Sequence, residues 1–129
     1  IAVNPFQLIA SKQPVGREYA NEAELFVLAH FDAAKRGRCT AQGYNFISRH
    51  LCMAYFIGAR LKSRPFMDLM QRAGDAWRKA GSRDTVDADL TTSEYQAMRA
   101  ALKAYFKALP RIEAGTYRQA CNVADQIMK

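Results

Sequence analysis

Three short groups of cationic side chains carry most of the chemistry this sequence offers. Arg36 and Arg38 stand two residues apart, Arg60, Lys62 and Arg64 repeat that spacing, and Arg99, Lys103 and Lys107 recur every four residues. Guanidinium and ammonium groups in such density neutralise phosphates or carboxylates, so these eight residues are the expected nucleic-acid- or anion-binding set. Structural duties also account for them. Arg60, Lys62 and Arg64 close a predicted helix, where positive charge complements the negative end of the helix dipole. Arg99, Lys103 and Lys107 lie along one helical stripe, where like charges four apart repel slightly and a solvated face is the ordinary explanation.

The other reactive residue types form no constellation. His30 and His50 are the only histidines, and Cys39, Cys52 and Cys121 the only cysteines. There is no Cys-x-x-Cys pair, and His50 and Cys52, two apart on a helix, diverge, so neither metal nor cofactor is expected. Cys52 and Cys121 fall on apolar faces and read as small buried hydrophobes. Cys39 sits in a loop beside Arg36 and Arg38, whose charges could lower its pKa and make it reactive, but the ordinary reading is a thiol without a functional role. Asp84, Asp87 and Asp89 are carboxylates in a polar loop without an accompanying histidine, and their spacing does not match a calcium-binding loop. No glycine-rich phosphate loop occurs. No catalytic residue is therefore assigned, and an enzyme ranks third among the readings.

The elements that must position these side chains are helical. Residues 51–59, LCMAYFIGA, run without a charge and without alternation, which argues against a half-buried strand. They centre a helix over residues 41–62, capped by Thr40, with Tyr44, Ile47, Leu51, Ala54, Gly58 and Leu61 on one stripe. Met53, Phe56 and Ile57 widen that stripe, so the helix should be buried on several sides. Gly58 is expected to admit a neighbouring backbone, and Pro65 marks the stop.

Around this helix the chain reads in order. An extended arm over residues 1–16 holds Ile1, Val3, Phe6, Leu8 and Ile9 as candidate packing residues. A first helix follows from about Arg17 to Arg36, with a capped start at Asn21 and Glu24. Its face is Tyr19, Ala23, Phe26, Val27, His30 and Ala34, and Gly37 is its stop. A third helix starts at Pro65, carries Phe66, Leu69, Met70, Ala73, Trp77 and Ala80 inward, sets Asp68–Arg72 and Asp75–Lys79 as surface pairs, and closes at Gly81. Thr91 and Glu94 form a capping box, with Leu90 and Tyr95 as its hydrophobic staple, for a fourth helix reaching Leu109. Ile112 dips inward in the connection after Pro110. Thr116 and Gln119 form a second capping box for a fifth helix facing inward through Tyr117, Ala120, Cys121, Ala124, Ile127 and Met128.

The expected architecture is thus all-α: an N-terminal arm, residues 1–16, and a single-domain bundle of about five helices, residues 17–129, around a buried central helix. The 129 residues suffice for one core, half of them hydrophobic and a quarter charged. Residues 1–34 carry net −2, residues 35–83 net +9 and residues 84–129 net 0, so the excess positive charge lies in the middle third. The odd cysteine count argues for a reducing, cytoplasmic setting. No signal peptide or membrane span appears, although a chain beginning at Ile1 is compatible with a processed or longer native N-terminus.

Two functional readings follow. The first is a small basic regulatory protein that contacts nucleic acid through the eight cationic residues. The alternative is a protein-interaction module, or a homodimeric adaptor, that meets an acidic protein partner. The first requires the cations to share one surface. The second requires an exposed apolar patch bordered by them.

Overall fold

The computed structural model describes residues 12–83 and 90–128, and these form an all-α bundle. Its helices are α1 (Arg17–Lys35), α2 (Ala41–Arg60), α3 (Arg64–Ser82), α4 (Thr92–Ala108) and α5 (Ala114–Ile127), with a 3-10 turn at Leu109–Arg111 before α5. The arm residues Ile1, Val3, Phe6, Leu8 and Ile9 and the loop carboxylates Asp84, Asp87 and Asp89 lie outside the described residues. What is described of the arm is tied down. Pro14 bridges Glu113 antiparallel, and Val15 and Gly16 donate to the carbonyls of Ile112 and Pro110.

α2 is the central element. Gly43, Ile47, His50, Leu51, Met53, Ala54, Ile57 and Gly58 are all buried, and Thr40 Oγ1 caps the helix by accepting from the Gly43 amide. It runs antiparallel to α3. Tyr44 stacks on Trp77 at one end, and Phe66 lies over Gly58 at the other. A Cβ added at Gly58 would come 2.7 Å from Phe66 Cδ1. The close neighbour is therefore a side chain of α3, not the backbone expected. Leu61, expected on the buried stripe, is exposed, because α2 ends at Arg60.

α4 returns alongside α3, and its start is fixed as the sequence indicates. Thr91 Oγ1 accepts from the Glu94 amide while the Glu94 carboxylate accepts from the Thr91 amide. Met98, Leu102, Tyr105 and Leu109 are buried, and Ile112 dips inward as expected. α1 runs antiparallel to α4: Gly16 meets Pro110, and Phe31 stacks on Tyr95 at 5.3 Å. Lys35 Nζ sits 4.7 Å from the centre of the same Tyr95 ring, a cation–π contact.

Several local expectations fail. α1 starts at Arg17 behind Gly16 with no side-chain cap, so Asn21 and Glu24 lie inside the helix. Its buried face is Ala20, Val27, Phe31 and Ala34, leaving Tyr19 and Phe26 exposed. α3 begins one residue earlier than expected, with Arg64 ahead of Pro65. Asp75 pairs with Arg78 at 2.7 Å in place of Lys79, and Asp68–Arg72 is not formed. α5 starts at Ala114 with Glu113 as an uncapped N-cap, so Thr116 and Gln119 make no capping box. The Ala114 amide is satisfied instead by the Gln13 carbonyl, a long-range bond that no local motif announces. Only Ala120 and Ala124 of α5 are fully buried, while Ile127 and Met128 are exposed.

Candidate binding surfaces

The eight cationic residues do not share one surface. Arg36 and Arg38 follow α1 and precede α2, whereas Arg60, Lys62 and Arg64 sit at the opposite end of α2. Twenty residues of α-helix separate the two groups, about 30 Å at 1.5 Å per residue. Arg36 is further engaged by Asp32, at 3.4 Å. Arg99, Lys103 and Lys107 are exposed along α4, and because α4 returns beside α3, Lys107 lies at the Arg60–Arg64 end.

Arg99 and Lys103 instead border a groove between α4 and α1. Its volume is about 170 Å3, and Leu28 and Glu24 of α1 form the facing lip, with Phe31, Leu102 and Phe106 beneath. Neither cation pairs with a described carboxylate. Leu28 and its neighbours are unusually open: Leu25 is 71% and Phe26 64% exposed. The sequence contains the signal for this. Leu25-Phe26-Val27-Leu28 is an unbroken apolar run, and a helix with one buried face leaves part of such a run outside.

The polar groups inside the bundle are satisfied. His50, 5% exposed, has Nδ1 3.1 Å from the Tyr105 hydroxyl. Burial, reinforced by the charge of neighbouring Arg49, lowers its pKa to about 4, so the imidazole is neutral at pH 7. Burial likewise raises the Tyr105 pKa. The Trp77 indole donates to Ser48 Oγ at 3.0 Å and to the Tyr44 carbonyl at 3.2 Å. Arg83 donates to Glu94 Oε2 at 2.7 Å, and this bond, with the Thr91 amide, holds the Glu94 pKa down to about 2. Arg49 pairs with Asp125.

Cys39 follows the ordinary reading of a thiol without a functional role. Burial raises its pKa, and its thiol faces the Thr40 carbonyl at 3.5 Å, so the neighbouring arginines do not activate it. Arg36 is turned to Asp32, and Arg38 is exposed. Cys52 is also raised by burial, and none of the three cysteines is in a disulfide. Among the described residues, no group of three or more His, Cys, Asp and Glu side chains converges as a metal set, and no helix is long and apolar enough to cross a membrane.

Comparisons with protein-family models, curated proteins and solved structures return no match.

Proposed function

We propose that this chain is a non-enzymatic interaction module that receives an acidic, amphipathic helix of a partner protein along the groove between α1 and α4. The observation that carries this reading is the exposed Leu28 lining the groove with two unpaired cations, Arg99 and Lys103. An amphipathic helix laid in a groove anchors through apolar residues at i, i+3, i+4 and i+7, and its flanking charges set orientation and partner choice. Here Leu28 and the floor of Phe31, Leu102 and Phe106 ask for such anchors, and the α4 lip asks for carboxylates along the edge away from Glu24. A cytoplasmic setting belongs to the same reading, supported by three cysteines without a disulfide.

Two other occupants fit less well. A second copy presenting its own α1 would bring Glu18, Glu22, Glu24 and Asp32 against their counterparts, with only Arg17 and Lys35 in each helix to offset them. A nucleic acid would have to reach cations divided between opposite ends of α2, and the exposed leucines would contribute nothing to phosphate contact.

The test is an anisotropy titration with two labelled helical peptides. One carries a leucine stripe edged with glutamate, and the other has lysine at every glutamate position. The acidic-edged peptide is expected to bind, and the double variant Arg99→Glu, Lys103→Glu to weaken it by about tenfold or more. Equal binding of the two peptides, or indifference to the double variant, overturns the proposal. Both substituted positions are exposed, and a circular dichroism spectrum confirms that the fold is retained.

A further inference from the structure

On the other flank of α1, away from α4, a cavity of about 290 Å3 opens between α1, α2 and α5. Four aromatic rings line it: Tyr19 and Phe26 from α1, Phe46 from α2 and Tyr117 from α5. The two tyrosines hold each other. Their hydroxyls are 2.8 Å apart, and their rings meet edge to face at 5.5 Å and 80°. Phe46 is fixed between two imidazoles, with ring centres 5.4 Å from His30 and 4.9 Å from His50.

The charges around these rings are lopsided. Arg49 lines the cavity, but Asp125 compensates it. His50 lines it as a neutral imidazole, and burial together with the Tyr19 hydroxyl keeps Tyr117 protonated. Glu22 also lines it, exposed, and pairs with no described cation. One uncompensated negative charge therefore stands beside four rings.

Aromatic faces carry negative quadrupole density and attract cations, most effectively cations that shed their water cheaply. A methylated ammonium does so, because its methyl groups block hydrogen bonding to water and offer apolar surface to the rings. A primary ammonium keeps its hydration shell, and a carboxylate would meet Glu22. The volume lies at the lower limit of small-molecule sites, roughly 300 Å3, which suits a compact headgroup. We propose that Tyr19, Phe26, Phe46 and Tyr117, with Glu22, form a recognition site for a quaternary ammonium group.

The site stands apart from the α1–α4 groove and does not depend on it. The experiment is a calorimetric titration with choline and with 3,3-dimethylbutan-1-ol, which has the same shape and no charge. Choline is expected to bind saturably, and the neutral isostere about tenfold more weakly or worse. Glu22→Gln, at an exposed position, is expected to weaken choline severalfold while leaving the alcohol unchanged, and Phe26→Leu to weaken choline more than the alcohol. Equal affinities for the two compounds overturn the proposal. So does absence of choline binding at about 50 mM, or choline binding indifferent to both substitutions. A peptide bearing trimethyllysine then separates the sources of the group. Tighter binding than choline assigns it to a modified protein side chain, and weaker binding assigns it to a free or lipid-borne headgroup.

Discussion

His50 and Glu94 are both buried and both titratable, and acid reaches them in successive windows. An unfolded histidine titrates near pH 6.5 and folded His50 near 4. Between those values the unfolded chain holds more protons, so the contribution of His50 is complete above pH 6.5 and lost as the pH falls to 4. The loss amounts to roughly 3 kcal/mol. Glu94 behaves in the same sense lower down. Its folded pKa of about 2 lies below the ordinary 4.5, so its contribution is present above pH 4.5 and lost as the pH falls towards 2. Urea unfolding across pH 2–8 should show two descending segments. His50→Gln is expected to flatten the upper segment and Glu94→Gln the lower one; a single slope that neither variant changes would contradict both assignments. The two residues differ in how legible they are. Glu94 is marked by its spacing from Thr91, a local motif that needs no tertiary information. His50 acquires its character from burial inside the bundle, where its partner Tyr105 is fifty-five positions away, and no local pattern announces that pairing. Cys39 shows the converse: sequence proximity to Arg36 and Arg38 offers activation as an alternative, but Arg36 is engaged by Asp32 and burial governs the thiol.

At the scale of the element, α1 and α2 end in the same way with different residues. After α1, the Arg38 amide donates to Ala33 and the Gly37 amide to Ala34. After α2, the Ser63 amide donates to Gly58 and the Lys62 amide to Ala59. Both are Schellman closures, which need a left-handed residue: Gly37 at φ 71° in one and Lys62 at φ 55° in the other. Glycine adopts that conformation freely, whereas lysine is strained there by about 1 kcal/mol. Lys62→Gly is therefore expected to stabilise the protein by about 0.5–1 kcal/mol, and Gly37→Ala to destabilise it by about 1 kcal/mol. The urea midpoint at constant slope measures both, and a destabilising Lys62→Gly would show that the lysine side chain matters more than its backbone. The glycine stop of α1 is visible in the sequence. Pro65 marks the stop of α2 only to within a few residues, because lysine is a good helix former and nothing local places the left-handed turn at Lys62. The central position of α2 was legible from its uncharged middle. The inner face of α1 was not, since Leu25 to Leu28 are apolar in turn and only the placement of α4 and α2 decides which of them is covered.

For the whole molecule, the arrangement of charge matters more than its total of +7. The helix order places Arg36 and Arg38 at one end of the bundle and Arg60, Lys62, Arg64 and Lys107 at the other. A nucleic-acid duplex lying against one end can engage only that end's cations, and the acidic α1 lies on a side between them. Counterion release turns this into a number. Eight phosphate contacts would give a slope of log K against log salt of about −7, whereas Arg60, Lys62, Arg64 and Lys107 alone would give about −4. Anisotropy of a labelled duplex at several salt concentrations is therefore expected to show weak binding with a slope well short of about −7. Arg36→Glu with Arg38→Glu should leave that slope unchanged, and Arg60→Glu with Arg64→Glu should make it shallower. A slope near −7 that both pairs reduce would mean that nucleic acid bridges the two ends, and it would favour phosphate contact over the α1–α4 groove as the chain's main business. The shallow slope would leave the positive charge in the role that the exposed leucines suggest, selecting the charge of a protein partner that apolar contact holds in place.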